Sequence, residues 1–399
     1  MIRLHGRVRI RGTPRNEVLK VVTLEEFISG DIPSDRCALW YDGSVAVEKS
    51  RALEEVGWGV VLAGNGGAIP AHCASPVIEG VQGIDAIRPG AVVVVNAARQ
   101  AINVVYRRGS RSNSLLVTER CNSYCIMCSQ PPVEREEGGR VRQLTEIVEL
   151  IDDAEAQLGL TGGEPTLLGD SLVDLLRACG HHLPTTHLHV LTNGRAFQDE
   201  CFVNAIARVS QNVTWAIPVY SDAPEVHDYV VQRRGAYDET LRGLIHLGRL
   251  RQSVEIRVVL QREVVPRLRQ LAHFITRNLS FVDHVAWMGL EPTGFARGNW
   301  NAIWIEPDEY KSELHDAVTE LDCHGIRTSI YNLPLCVLPR SLWPFAAQSI
   351  SDWKNEYRPA CEGCSVRDRC CGFFGSVGEK HLPRAIRPVS HPADVVEVE

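Results

Sequence analysis

The sequence predicts an α/β protein with parallel strands, preceded by a small β-rich module and followed by a cysteine-rich extension. Three observations predict it. Between residues 113 and 292, short apolar runs alternate with stretches of helical period. Directly after the first of those runs come Cys121, Cys125 and Cys128, spaced C-x3-C-x2-C. Near the other end of the chain a second group gathers Cys361, Cys364, Cys370 and Cys371.

Taken in order, residues 1–112 hold apolar runs split by Gly and Pro, such as those at 58–62 and 90–95, and read as the β-rich module. Its expected role is a scaffold or partner surface; the alternative is a free strand edge that takes up an extended peptide. The basic stretch 107–111 marks the boundary. The strand candidates that follow are 114–118, 156–160, 187–192, 213–219, 254–260 and 284–290. Between them 143–154, 171–179, 238–249 and 266–278 have helical period. Apolar strands separated by helices imply parallel pairing through right-handed crossovers. This gives a core domain at 113–300 and an extension at 301–399.

Bulk composition narrows the function. With 399 residues, 44% apolar, 23% charged and net charge −7, the chain has no overall electrostatic drive toward nucleic acid or anionic membranes. The start lacks a secretory h-region, and the most apolar run, 90–96, is too short to span a bilayer, so a cytoplasmic protein is expected. Thirteen cysteines in a reducing compartment then read as metal or catalytic sites. Cys37, Cys73, Cys179, Cys201 and Cys323 read as small buried apolar residues; Cys336 stands out by its place upstream of the second group.

Three thiolates on one loop can hold three irons of a four-iron cluster and leave the fourth open; the competing reading is a zinc knuckle. A second motif, Gly162-Gly163-Glu164-Pro165, closes the next strand. Two glycines allow close approach of backbone to a ligand, and a carboxylate can accept hydrogen bonds from an ammonium group. Together the two motifs resemble the radical SAM superfamily. The resemblance implies a partial (β/α)6 barrel, with a [4Fe–4S] cluster on Cys121, Cys125 and Cys128. It also implies S-adenosylmethionine on the open iron, its amino group gripped by the loop of Gly162, Gly163 and Glu164. Both motifs then lie at C-terminal strand ends, where α/β barrels carry their chemistry.

Three further strand ends are candidates. Asn193 can reach a ribose or serve only its turn. Many family members carry a serine near the position of Pro218, so Tyr220 or Ser221 would have to supply that polar contact, or it is absent. Glu291, before Gly294, can serve substrate, cofactor or a cap. Met127 stands where the superfamily often has an aromatic residue.

Cys336, Cys361, Cys364 and Cys370 offer four soft ligands without histidine, suited to zinc or to a second [4Fe–4S] cluster. The resemblance favours the cluster, and the spacing favours Cys370 over Cys371. The aromatic stretch from Trp343 through Trp353 to Tyr357 reads as an apolar plug. Residues 115–132, with 343–345 and 361–364, are similar to the radical SAM maturases of the His-Xaa-Ser system. That similarity implies a precursor-peptide substrate, a second radical SAM maturase, a small helper protein and an electron donor. It also implies reductive cleavage of S-adenosylmethionine to a 5′-deoxyadenosyl radical. The alternatives are a radical SAM enzyme acting on a small molecule or tRNA, and a cluster-bearing partner without activity.

Overall fold

The computed structural model describes residues 5–41, 56–63, 73–81, 87–134, 137–210, 212–348 and 355–390. The chain forms two compact units, one of residues 1–115, 138–158 and 174–186, the other of residues 116–137, 159–173 and 187–399.

The first unit is built on eight strands: β1 (His5–Arg7), β2 (Arg9–Arg11), β3 (Val18–Val22), β4 (Cys37–Tyr41), β5 (Val60–Ala63), β6 (Val77–Glu79), β7 (Val92–Asn96) and β8 (Ala101–Tyr106). Helix α1 (Leu24–Ser29) follows β3 and starts at a capping box in which Thr23 and Glu26 satisfy each other's main-chain N–H. The strands run in the order β1-β8-β7-β3-β4-β5-β6-β2. The two ends of that order, β1 and β2, are halves of one segment separated only by Val8. The sheet therefore closes on itself. Leu19, Val21, Val60, Leu62, Ile78, Val93 and Ile102 fill its interior. The two halves of residues 5–11 each pair on one side, the first with β8 and the second with β6.

The same unit holds α2 (Arg140–Val148) and most of α3 (Asp170–His182). Buried Lys20 on β3 meets Asp152 at 2.5 Å, and Arg108 Nε meets the other carboxylate oxygen at 2.6 Å. The two cations hold Asp152 below the usual carboxylate range although burial opposes its charge.

The second sheet has seven strands in the order β15-β14-β13-β12-β11-β10-β9. They are β9 (Ser114–Thr118), β10 (Gln157–Gly162), β11 (His187–Leu191), β12 (Val213–Pro218), β13 (Ser253–Leu260), β14 (His284–Gly289) and β15 (Arg327–Tyr331). The pairs from β11 to β15 are parallel. The intervening helices are α4 (Glu200–Ala207), α5 (Pro224–Val231), α6 (Ala236–Arg249), α7 (Leu268–Asn278), α8 (Gly294–Ile303) and α9 (Lys311–Cys323). This is the parallel α/β fold the alternation predicts, with one strand more. Strand β15 is short and opens with three polar residues, Arg327, Thr328 and Ser329, so it lacks the continuous apolar run that marks the others.

Alternation sorts the strand side chains. Trp215, Val254, Ile256, Val258, Val285 and Trp287 are fully buried in the core. On β13 the alternate positions Glu255 and Arg257 are polar, and they meet His284 and Met288 on β14 and His189 on β11, across β12. A polar seam thus runs along one face of an otherwise apolar sheet. Among the described residues, no helix is long and apolar enough to cross a membrane.

Candidate active site at the strand ends

The cysteine loop follows β9 and is held from several sides. Tyr124 N–H donates to Val231 O (3.1 Å) and Ile126 N–H to Val230 O (3.0 Å), both at the end of α5. Asn299 Nδ2 donates to Ile126 O (2.7 Å), and Phe295 N–H to Cys128 O (2.8 Å). Gly294 makes the last contact possible: a Cβ there would lie 2.3 Å from Cys128 O, and its φ is +51°.

The two glycines after β10 do related work. Gly163 N–H donates to Thr118 O and Glu164 N–H to Arg120 O, each at 2.8 Å. A Cβ on Gly162 would meet Thr118 O at 2.3 Å, and one on Gly163 would meet Arg120 O at 2.1 Å. The close approach these glycines permit is to the backbone leading into Cys121. The glycine pair thus positions the cysteine loop.

Glu164 is fully buried. Its Oε1 accepts from Thr166 N (3.0 Å), Thr166 Oγ1 (2.6 Å) and Thr192 Oγ1 (2.6 Å), and its Oε2 from Asn193 N (2.6 Å). Burial pushes the carboxyl up, and these hydrogen bonds pull it back. A carboxylate has about four lone-pair sites, and Oε2 keeps one free beyond Asn193. The side chain ties the end of β10 to the end of β11.

Asn193 and Arg195 complete the brace. Asn193 Nδ2 donates to Asn122 Oδ1 (2.7 Å), and its Oδ1 accepts from Arg195 N (3.1 Å). Arg195, buried, donates through Nη1 to Asn122 O (2.7 Å) and Ser123 Oγ (3.2 Å), while its Nε meets Glu239 at 2.6 Å. Sequence reasoning missed Arg195, because its partners lie 44 and 72 or more positions away. It likewise missed Glu137, whose carboxylate accepts from Thr118 Oγ1 (2.6 Å) and Glu119 N (2.7 Å) at the exit of β9.

Of the two candidates after β12, Ser221 is folded into its own turn: fully buried, its Oγ accepts from Ala223 N at 3.1 Å. Tyr220 is the one beside the cysteines. Burial first, then the charges of Cys125 and Cys128, push its phenol well up. Glu291 accepts from Asn332 Nδ2 at 2.9 Å and joins the ends of β14 and β15. Gln261, directly after β13, is fully buried with both amide atoms unpartnered. Met127 is buried.

The three loop thiols share one environment. Burial raises Cys121 to about 11 and Cys125 to about 12, with their neighbours' charges adding to the shift, and burial also raises Cys128. Without a cation they are held as thiols; a cationic centre reverses that balance. Among the described residues, no group of three or more His, Cys, Asp or Glu side chains is arranged to hold a single metal ion. A four-iron cluster asks for something else, one thiolate per iron spread around its corners, and three neighbouring thiols without histidine fit that demand.

The second cysteine group also comes together. Cys336 lies close enough to Cys370, Cys361 and Cys364 for their charges to add to the burial that raises it to about 11. Val389 N–H donates to Cys364 Sγ at 3.4 Å, and Trp343 and Tyr357 pack against the same apolar cluster. Cys371 hydrogen-bonds Cys370, holding the Cys370 thiol down at about 6 and pushing its own well up. Trp353, part of the expected plug, lies outside the described residues.

Residues 115–275 match the family model of the Radical SAM superfamily. No curated protein matches this sequence. Among solved structures, SuiB of Streptococcus suis bound to S-adenosylmethionine is similar at 13% identity and a TM-score of 0.45, over 64% of this chain and 56% of that one. SuiB itself matches at 14% and 0.43, over 57% of this chain and 49% of that one. A radical SAM methyltransferase from Sphaerobacter thermophilus matches at 16% and 0.41, over 61% and 69%. The chain spans about half the length of the first of these structures. At such identities and scores they carry no argument about activity.

Proposed function

We propose that this chain, a radical SAM enzyme whose family domain covers residues 115–275, modifies a ribosomally made precursor peptide of the His-Xaa-Ser type. The observation that carries the enzymatic part is the braced loop of Cys121, Cys125 and Cys128, locked to Gly163 and Glu164 by two main-chain hydrogen bonds. The peptide part rests on the resemblance of residues 115–132 and 361–364 to the maturases of that system. A second maturase and an electron donor are expected partners, and a cytoplasmic setting suits the free thiols.

On this reading Cys121, Cys125 and Cys128 hold a [4Fe–4S] cluster, and the loop of Gly162, Gly163 and Glu164 takes the amino group of S-adenosylmethionine, for which Oε2 of Glu164 keeps a lone pair. Once bound, that pair supplies a 5′-deoxyadenosyl radical able to abstract a substrate hydrogen atom. The chain's own residues orient and enclose. Arg195, Asn193 and Asn122 fix the cysteine loop, and the buried strand ends exclude water. Cys336, Cys361, Cys364 and Cys370 hold a second, fully ligated cluster that serves as relay or support.

The test is anaerobic reconstitution followed by assay for 5′-deoxyadenosine and for a mass change in the precursor peptide encoded nearby. Wild type forms 5′-deoxyadenosine and Cys125→Ala does not; product from Cys125→Ala would refute the cysteine assignment. SAM cleavage with an unmodified peptide, and turnover of a small molecule or tRNA instead, would overturn the peptide reading.

A further inference from the structure

We propose that Tyr331, Ser329, His284 and Glu255 form a proton relay on one face of the second sheet, in which Tyr331 takes a proton from an O–H or N–H group of the substrate and His284 stores it. The inference rests on the radical SAM reading of the cysteine loop and adds an acid–base function which that reading leaves unassigned.

Strand register brings these groups together. Glu255 on β13 lies opposite His284 on β14, while Ala286 and Met288 lie opposite Ser329 and Tyr331 on β15. Opposite and alternate residues share a face, so Glu255, Arg257, His284, Ser329 and Tyr331 stand on one side of the sheet. Val254, Ile256, Val258 and Leu260 line the other, apolar side. The polar contacts run in a line. Glu255 Oε2 lies 2.8 Å from His284 Nδ1, and His284 Nε2 lies 3.0 Å from Ser329 Oγ. Ser329 is in turn within hydrogen-bonding range of the Tyr331 phenol. Their direction follows from the anion at one end. Arg257 Nη1 donates to Glu255 Oε1 at 2.8 Å, and His189 Nε2 lies 3.4 Å from the same oxygen, so Glu255 stays a carboxylate although burial opposes its charge. A carboxylate only accepts, so His284 carries its proton on Nδ1 and offers the Nε2 lone pair to the Ser329 hydroxyl. Ser329 Oγ is then placed to accept from the Tyr331 O–H. Every donor on the way from Tyr331 points toward His284.

Burying so many polar groups on a sheet is costly, and apolar side chains would brace the strands as well. The polar column also reaches the candidate site. Side-chain exposure rises from 10% at Glu255 to 23% at Arg257, and Ser329 and Tyr331 are half-buried. Arg257, Cys125 and Cys128 all lie near enough to Tyr220 for their charges to act on its phenol, which sets the upper part of the column beside the cysteine loop. One residue past β13, Gln261 is fully buried with both amide atoms unpartnered, and a peptide group of a substrate would satisfy its donor and acceptor together. Once a carbon has lost a hydrogen atom, an O–H or N–H on that carbon becomes more acidic, because the odd electron spreads onto the heteroatom. In the relay that substrate bond to hydrogen breaks as Tyr331 Oη gains the proton. Tyr331 passes its own proton to Ser329 Oγ, and Ser329 passes its own to His284 Nε2. Each bond to hydrogen that breaks is matched by one that forms, and no electron changes hands. Glu255 offsets the imidazolium charge, as the carboxylate does in a serine–histidine–carboxylate triad. Burial, with the charge of Glu255, raises the Tyr331 phenol, so Tyr331 stays protonated and acts as a conduit.

The test compares reconstituted wild type with Tyr331→Phe, Ser329→Ala and Ser329→Thr, each given the precursor peptide encoded nearby. Modified peptide formed per 5′-deoxyadenosine should fall by about tenfold or more in Tyr331→Phe and Ser329→Ala, and Ser329→Thr, which keeps the hydroxyl, should recover it. Product formation by wild type should slow in deuterium oxide, and Tyr331→Phe should lose that sensitivity. Nitrogen NMR of the wild-type imidazoles should show His284 protonated at Nδ1. An unchanged product ratio in Tyr331→Phe and Ser329→Ala would overturn the proposal, as would a His284 protonated at Nε2 alone, which reverses the chain. A wild type that forms no 5′-deoxyadenosine, or leaves the peptide unmodified, would count against the proposed function instead, with the NMR result still judging the relay.

Discussion

Replacing Gly163 by Ala should dismantle the cysteine loop without touching a cysteine. The new Cβ would stand 2.1 Å from Arg120 O, 2.5 Å from Arg120 C and 3.0 Å from Glu119 O, all main-chain atoms that no rotamer change can move aside. Ordinary contact needs about 3.5 Å, so the backbone entering Cys121 must shift by roughly 1 Å or more. That shift breaks the 2.8 Å bonds from Gly163 N to Thr118 O and from Glu164 N to Arg120 O. Two main-chain bonds at about 1 kcal/mol each, with about 1–3 kcal/mol of overpacking strain, give a loss of roughly 3–5 kcal/mol. The assay pairs urea denaturation with iron content after anaerobic reconstitution. Gly163→Ala should unfold at lower urea and lose the iron of the 121–128 site. Gly180→Ala is the control, since nothing lies within 4 Å of its Cβ; it should be neutral or stabilising by up to about 1 kcal/mol. Wild-type stability and iron content in Gly163→Ala would refute the argument.

Other expectations follow from the same geometry. With two clusters the wild type should hold about eight irons, with Cys336→Ala and Cys370→Ala near four and Cys371→Ala unchanged; full iron in Cys370→Ala with loss in Cys371→Ala would reject Cys370 as the ligand. Asp152→Ala leaves Lys20 buried without its counter-charge, costing about 3–5 kcal/mol by urea denaturation, and Lys20→Met in the same chain should recover most of it. Burial opposes the charge of Glu255, but hydrogen bonds from His189 and His284 and the charge of Arg257 hold its carboxyl well below the usual range. Because its folded pKa is depressed, its contribution is complete above the unfolded value of about 4.3 and fades as pH falls below that. Glu255→Gln should therefore be destabilised at pH 7 and show a shallower acid loss of stability than wild type, read from melting temperatures at pH 3–7.

Much of this was legible in the chain itself. The six apolar runs from residue 114 to residue 290 all became strands within two residues of their expected ends, because continuous burial requires continuous apolar sequence. The C-x3-C-x2-C and Gly-Gly-Glu spacings were equally plain, since local chemistry is written locally. Strand β15 was not, because its polar face removes that signal.

The sequence by itself determined the parallel α/β core, the cysteine groups and the strand ends on which the candidate chemistry sits. Tertiary structure decided what each neighbouring residue does there. Gly163 proved to approach backbone at Arg120, Ser221 turned into its own cap while Tyr220 took the place beside the cysteines, and Arg195 reached 72 positions back to clamp the loop. It also joined the two ends of the first unit's strand order through residues 5–11, which pair with β8 and with β6. The physical reason is common to all of these: hydrogen-bond partners and steric limits between segments distant in sequence exist only once the strands have been brought side by side.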